Sequence, residues 1–240
     1  MANTLINYLN KRLIKSNLTM ESLKPPGPVI TISREVGCSG LELAYTLAEQ
    51  LNKKSYHESW KVVSKEILHQ SAQELDMDPE RISKIFRQMD RTSFDEILNA
   101  FSEKRFKSDK KIKKTVMDVI RSFGEDGFCI IVGRASNVIC GDISHSLHIR
   151  MVAPMGFRIN SIMQKNGWSR SESEKFIARV EKERFAYRHA AMGKNPGEEE
   201  FFDITFNRAE FTTAMIVEQV MLAISQKKIL EGYSSKIDFF

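Results

Sequence analysis

The chain has 240 residues, of which 42% are hydrophobic and 28% are charged. This length fits one α/β domain with an added piece, or two small domains, and the composition is that of a globular protein with a full core. The 36 basic and 31 acidic residues leave a formal charge of +5. That excess suits an anionic ligand or a solvated surface, and it does not by itself indicate nucleic acid.

The sequence has the features of a cytoplasmic protein. Its first 18 residues have neither the long apolar core nor the small-residue cleavage site of a signal peptide, and no apolar stretch reaches the length of a membrane span. Cys38, Cys129 and Cys140 form no CxxC pair and are odd in number. Buried free thiols in a reducing compartment are therefore expected. No membrane partner is predicted.

An N-terminal extension is predicted at residues 1–28. Leu5, Ile6, Leu9 and Leu13 recur at helical spacing, which predicts a short amphipathic helix. We expect it to pack on the body of the protein, although a partner-binding or dimer-forming helix has the same pattern. The segment KPPGP then breaks the chain before a main domain at residues 29–230, which is followed by a C-terminal tail at 231–240.

Apolar runs and amphipathic segments alternate along the main domain. The predicted strands are VITIS at 29–33, a short SYHE at 55–58, GFCIIVG at 127–133, SLHIRMVA at 146–153 and FDITFN at 202–207. The predicted helices start at residues 41, 171 and 210, with helical sequence also before residue 163 and a mostly helical block at 60–124. Strands that alternate with helices predict a doubly wound α/β fold with a parallel sheet.

The run EKRFKSDKKIKK at residues 103–114 is strongly basic. Such runs usually form a solvated helix face. A phosphate or nucleic-acid patch is the sharper alternative, but Phe106 is the only aromatic residue in the run that could stack on a base. A solvated face is therefore predicted, and no nucleic-acid partner.

The turn REVGCSG joins the first strand to the first helix. A strand–turn–helix unit gathers backbone N–H groups at the positive end of the helix dipole, where phosphate oxygens bind. Gly37 and Gly40 allow a close backbone approach and positive φ angles, and Ser39 adds a hydroxyl donor. The pattern G-x-x-x-x-G-K-[ST] does not match in either register, because Gly40 or Leu41 takes the lysine position and Leu41 or Glu42 the hydroxyl position. Taken alone, the pattern favours a simple tight turn between a strand and a helix.

The segment ITISREVGCSGLELAYTLAEQL resembles the start of the cytidylate kinase-like family, a branch of the P-loop nucleoside monophosphate kinases. The likeness continues in order through YHESWKVVSKEIL, FCIIVGRASNVI, the segment from LHIRMVAPMGF to YRHAAMGKN, and FDITFNRAEF, over residues 29–225. It implies a P-loop NTPase-like three-layer fold with a five-stranded parallel sheet. It also implies a helical acceptor-binding segment at 59–126 and a mobile lid at 165–196.

The resemblance implies transfer of the γ-phosphoryl group of ATP, bound with Mg²⁺, to CMP or dCMP. Because the acceptor is already a phosphate anion, this reaction requires positioning and charge neutralisation more than a strong base. Arginine suits that task, since its planar fork grips phosphate oxygens with two hydrogen bonds. The site is therefore expected to consist mostly of arginines.

Two candidate arginines follow predicted strands. Arg34 comes directly after VITIS and Arg134 after CIIVG, so both are expected at the carboxyl edge of the parallel sheet, where open α/β sheets bind ligands. By resemblance, Arg134 matches the arginine that contacts the acceptor nucleotide, and a surface charge or an ion pair is the alternative. Arg34 is the candidate that would replace the missing lysine.

The remaining candidates lie in the lid region and the loop. Arg184 and Arg188 share one face of a predicted helix, and by resemblance they match lid arginines that close over the phosphates. A charged solvent face paired with Glu181 and Glu183 is the alternative. Arg158 is a candidate nucleotide- or phosphate-binding residue at the base of the lid, and a purely structural role is the favoured alternative. The loop contributes candidate phosphate-binding residues, and no protein metal ligand is predicted. Those loop residues are Gly37, Cys38, Ser39, Gly40, Leu41 and Glu42.

Relatives often carry an arginine just after the last loop glycine, where this chain has Leu41. Two hypotheses follow: an active kinase for a pyrimidine nucleoside monophosphate, and a catalytically weak or inactive relative that binds a nucleotide or phosphate for sensing or regulation. The retained arginines favour the first; the lost cation and the N-terminal extension favour the second. Both predict nucleotide binding, but only the first predicts turnover. The expected partners are ATP and a nucleoside monophosphate, CMP or dCMP, and a homo-oligomer is left open.

Overall fold

Five parallel strands form a sheet in the computed structural model of this protein, which describes residues 26–54, 58–64, 109–192 and 202–233. The strands lie in the order β2-β3-β1-β4-β5, and every pairing is parallel. The predicted doubly wound parallel sheet is therefore confirmed. In chain order, the strands are β1 (Val29–Arg34), β2 (Lys61–Val63), β3 (Cys129–Val132), β4 (Ser146–Val152) and β5 (Ile204–Asn207).

Helices cover both faces of this sheet. Ile30 and Ile32 of β1 belong to one buried cluster with residues of the first and last helices, whereas Val29 belongs to a second cluster on the opposite face. This division follows from the alternation of side chains along a strand, and it produces the three layers expected. The helices are α1 (Gly40–Asn52), α2 (Asp109–Asp126), α3 (Ser136–Ile139), α4 (Met155–Asn166), α5 (Arg170–Met192) and α6 (Thr213–Gln226).

The strand order creates a crevice at the end of β1. The sheet extends from β1 through β3 and β2 on one side and through β4 and β5 on the other. Ligands of open α/β sheets bind outside the carboxyl ends of the strands where the order reverses in this way. The residues that follow β1 and β3 are therefore placed together by topology.

The second strand is not where the sequence pattern puts it. β2 lies at Lys61–Val63, inside the predicted helical block, and Glu58 lies in a bend. Three residues show no periodicity, and this edge strand is defined by its pairing with β3. Residues 55–57 lie outside the described part of the chain, as do 1–25, 65–108 and 193–201. The N-terminal helix, the acceptor-binding segment and the lid region stay predictions.

All three cysteines are free and buried, as predicted. The last helix begins three residues later than the pattern suggests, at Thr213, because the Thr212 hydroxyl accepts a hydrogen bond from the Met215 N–H at 3.3 Å and caps the helix there. None of the described helices has the length and apolar character needed to cross a membrane.

A buried histidine joins the neighbouring strands β1 and β4. In β4, His148 Nδ1 lies 2.8 Å from Thr31 Oγ1 and its Nε2 lies 3.1 Å from Ser146 Oγ. Burial lowers the pKa of His148 below its ordinary value of 6.5; Asp203 opposes that shift and Lys227 adds to it. The unfolded chain therefore takes up a proton that the folded ring resists. The free energy of unfolding should fall as the pH drops below 6.5, by at most about 1.4 kcal/mol per pH unit.

Thermal melts between about pH 7.5 and pH 5.5 would measure this loss of stability. The variant His148→Gln lacks the titrating ring and should lose less stability than the parent over the same interval. Equal pH dependence in the two proteins would show that another group causes the loss.

Candidate functional site

The loop between β1 and α1 is a tight left-handed turn at the end of the central strand. Gly37 has a φ of 96° and Ser39 a φ of 53°, and the Cys38 N–H donates to the Glu35 carbonyl at 3.2 Å. A Cβ on Gly37 would lie 2.9 Å from the Cα and carbonyl oxygen of Arg158. Only glycine fits there, because both the backbone conformation and the space exclude a side chain. α1 begins directly after this turn, so the positive end of its dipole is at the loop.

Arg34 extends from the end of β1 across two glycines. A Cβ on Gly40 would lie 3.0 Å from Cγ and Cδ of Arg34, and a Cβ on Gly133 would overlap its Nη1 atom. The Arg34 stem thus lies at the start of α1 and its guanidinium at the carboxyl end of β3. Gly40 stands at the lysine position in one register of the P-loop pattern. The structure explains its lack of a side chain by the arginine that occupies this space.

Arg134 follows β3 in a second left-handed turn. Gly133, Arg134 and Ala135 have φ angles of 77°, 61° and 53°. Non-glycine residues rarely adopt such angles, and strained backbone of this kind clusters at functional sites. The turn keeps Arg134, which is half-buried, next to the glycine against which Arg34 packs. The structure therefore brings Arg34 and Arg134 to the same edge of the sheet.

α5 adds a third arginine to this edge. Arg184 Nη1 donates to the Arg34 carbonyl oxygen at 3.0 Å, and Arg188 is half-buried one turn further along the helix. Glu183 pairs with Arg179 at 3.0 Å. Arg184 thus lies at the end of β1. The catalytic roles of both arginines stay predictions.

Arg158 in α4 is buried, with 6% of its surface exposed. Its Nε donates to the Val36 carbonyl at 2.8 Å, its Nη2 donates to Glu181 Oε1 at 2.7 Å, and its Nη1 lies 3.3 Å from Glu35 Oε2. The guanidinium is thereby engaged by the loop on one side and by α5 on the other. The phosphate-binding role expected for Arg158 stays a prediction, and these contacts favour a positioning role.

Three other loop candidates differ in exposure. The Cys38 side chain is fully buried, and burial together with the Glu35 charge raises the pKa of its thiol to about 11. The thiol is protonated at neutral pH, and because the side chain is fully buried, a ligand could contact only backbone atoms of Cys38. Leu41 is exposed at the start of α1, and the Glu42 carboxylate accepts a hydrogen bond from the Thr213 hydroxyl at 2.6 Å.

A cavity of about 330 Å³ opens beside the loop. This volume falls in the range of small-molecule sites. Its polar lining comes from the loop, from α4 and from Arg208, which directly follows β5 and donates to the Phe211 carbonyl at 2.7 Å. The sequence analysis missed Arg208, although it follows a parallel strand just as Arg134 does. The lining residues are Gly37, Ser39, Phe157, Asn160, Ser161, Gln164 and Arg208.

Carboxylates near the loop are already engaged by protein donors. Glu35 and Glu181 face Arg158, and Glu42 faces Thr213. Within the described ranges, no group of three or more His, Cys, Asp and Glu side chains could hold a metal ion. Mg²⁺ often keeps water and substrate phosphates as its main ligands.

A five-stranded parallel sheet in this order, with a glycine-bearing turn between its central strand and a helix, is the fold of P-loop kinase-like proteins. The model of the family described as "Cytidylate kinase-like family" matches residues 29–210. That range is more than half of the chain and includes the loop, both strand-end arginines and the described helix α5. The chain belongs to the cytidylate kinase-like family, whose members are nucleotide kinase-like proteins.

Comparison with solved structures finds similar proteins. An uncharacterized protein from Eubacterium ventriosum matches with a TM-score of 0.59 and 18% identity, covering 82% of this chain and 98% of that one. A shikimate kinase from Acinetobacter baumannii, in complex with shikimate, matches with a TM-score of 0.47 and 10% identity, covering 86% and 96%. Nothing about the substrate of this chain follows from either likeness.

A curated relative shares part of the sequence. A uronate isomerase from Corynebacterium glutamicum is 26% identical over 118 residues, which are 49% of this chain and 22% of that protein. The chain thus spans about a fifth of the length of this relative. The isomerase name belongs to that protein as a whole.

Proposed function

We propose that this protein transfers the γ-phosphoryl group of MgATP to a nucleoside monophosphate, with CMP or dCMP as the expected acceptor. The observation that carries the proposal is the path of Arg34 across Gly40 and Gly133. A guanidinium in that position can supply the positive charge that a P-loop lysine normally contributes. Membership in the cytidylate kinase-like family supports the choice of acceptor.

In this proposal, the loop amides and the start of α1 hold the phosphates of ATP. Gly37 lets the backbone approach them, and the exposed Ser39 can donate its hydroxyl. The adjoining cavity, lined by Phe157, Asn160 and Arg208 among others, has room for the nucleoside part of a nucleotide. These features describe a donor site that begins at the loop and continues along α4.

The arginines perform the electrostatic part of the reaction. Arg34 and Arg184 meet at the end of β1, where the transferred group would carry its greatest negative charge. Arg134, held in its strained turn, would bind the phosphate of the acceptor. That acceptor phosphate is itself the nucleophile, so no side chain has to act as a strong base. Alignment of the two nucleotides and neutralisation of their charges lower the barrier.

A coupled ADP-release assay tests the proposal, with MgATP as donor and CMP, dCMP, UMP, AMP and GMP as acceptors. We expect turnover with CMP or dCMP, and a loss of about 10²-fold in kcat/KM for the acceptor in Arg134→Ala. Arg170→Ala is the matched control, because Arg170 is exposed on α5 and pairs only locally with Glu174 at 2.9 Å. It should retain the parent activity.

Two results would change the assignment. ATP binding without turnover on any acceptor would point to the alternative, a relative that binds a nucleotide or phosphate for sensing or regulation. The exposed Leu41, at a position where relatives often carry arginine, is the feature consistent with that result. Absence of binding to ATP, to the five nucleoside monophosphates and to inorganic phosphate would overturn both hypotheses.

A further inference from the structure

The backbone N–H and carbonyl of Val36, in the middle of the loop, are both held by side chains from two helices. Its carbonyl accepts a hydrogen bond from Arg158 Nε at 2.8 Å, and its N–H donates to Glu181 Oε1 at 2.6 Å. Arg158 Nη2 and Glu181 Oε1 are 2.7 Å apart, which closes the ring of contacts. Through the Arg158–Glu181 ion pair, α4 and α5 thus fix the backbone of Val36.

Glu35 extends the same network to the sheet. Its Oε2 accepts the Ala153 N–H at 3.0 Å and lies 3.3 Å from Arg158 Nη1. The buried Arg158 is therefore flanked by two carboxylates, Glu35 and Glu181, that come from different parts of the chain. Removing one of them would leave the guanidinium buried with reduced charge compensation, which is strongly unfavourable. We therefore expect the contacts of Arg158 with Glu35, with Glu181 and with the loop to weaken together when one carboxylate is removed.

We propose that Arg158 and Glu181 are positioning residues that couple the lid helix α5 to the loop. Glu181 lies one turn before Arg184, whose guanidinium donates to the Arg34 carbonyl. The same end of α5 therefore both orders the Val36 peptide and presents an arginine to the site. An anion that orders the loop stabilises this arrangement of α5, and an ordered α5 stabilises the loop, because such coupling is reciprocal.

The positioning role does not depend on the ligand, whereas its effect on catalysis rests on the proposed function. The structural part is measured by hydrogen exchange of the full chain without ligand. In Glu181→Ala, amides of residues 34–40 should exchange about tenfold faster, while those of β4 and α6 keep their parent rates. Glu181→Gln should recover much of the protection, since its amide oxygen can still accept the Val36 N–H.

Glu174→Ala provides the matched control on the same helix. Glu174 is exposed and pairs with Arg170, so the exchange of the loop should not change. Arg158→Lys is a second route to the same answer if Glu181→Ala does not fold, because lysine keeps the charge and loses the fork that contacts both partners. Parent-like exchange of the loop in Glu181→Ala, or in Arg158→Lys, would overturn the positioning role. Equally faster exchange throughout the chain would do the same.

Calorimetric titration with MgATP and with inorganic pyrophosphate tests the consequence for binding. Glu181→Ala should bind both about tenfold more weakly than the parent, and Glu174→Ala should bind both normally. Parent-like affinity in Glu181→Ala would overturn the coupling and leave the proposed function standing. If the parent itself bound neither ligand, the proposed function would fail, and the exchange measurement would still decide the positioning role.

Discussion

Arg34→Ala is expected to lower kcat by about 10²–10³-fold, because the side chain supplies the positive charge that neither Gly40 nor Leu41 provides. The Arg34 side chain passes two positions without side chains, with its stem at Gly40 and its guanidinium at Gly133, at the edge of the sheet where the strand order reverses. The loss should appear in kcat more than in KM for the acceptor, since the charge is needed most when the phosphoryl group is between donor and acceptor. Steady-state kinetics with MgATP and CMP would measure it.

Arg34→Lys and Arg179→Ala complete this comparison. Lysine keeps a charge at the same place and should recover part of the lost rate, although it lacks the fork that contacts two oxygens. Arg179 is partly exposed on α5 and pairs with Glu183 at 3.0 Å, so its removal should leave kcat unchanged. A kcat for Arg34→Ala close to that of the parent would show that another group carries the charge.

The sequence predicts the fold most accurately where an element has its own internal pattern. The apolar runs of β1, β3 and β4 and the leucine spacing of α1 are such patterns, and they are found within a few residues of their predicted bounds. β2 has no such pattern. It has three residues, and its identity as a strand depends on pairing with β3, a partner about 70 residues away in the chain.

The candidate site divides in a similar way. Arg34 and Arg134 could be predicted, because their position after a strand and the topology of a parallel sheet suffice to place them at one edge. The contacts of Arg158 could not be predicted, because they depend on burial between Glu35 and Glu181, which are far apart in sequence. The steric preference for glycine at position 40 could not be predicted either, because it depends on where the Arg34 side chain lies. Local patterns thus locate the site, and tertiary contacts decide what each residue does.

Gly133→Ala is expected to reduce kcat nearly as much as Arg34→Ala does. A methyl group there would overlap Nη1 of Arg34, and the φ of 77° disfavours alanine. The strained backbone should also cost about 1–3 kcal/mol in the free energy of unfolding. Gly156→Ala is the matched control in α4, because nothing lies within 4 Å of the added methyl group. That change should preserve kcat and leave stability the same or slightly higher, since alanine favours a helix.

A double variant separates the two ways in which Gly133→Ala could act. If the methyl group lowers kcat by displacing the Arg34 guanidinium, then Arg34→Ala combined with Gly133→Ala should be little slower than Arg34→Ala alone, because the affected group is already absent. If the methyl group acts through general distortion of the turn that holds Arg134, the two losses should multiply. Multiplied losses would show that Gly133→Ala does not act by displacing the Arg34 guanidinium. Non-additive losses would place both residues in one functional unit at the carboxyl end of β3.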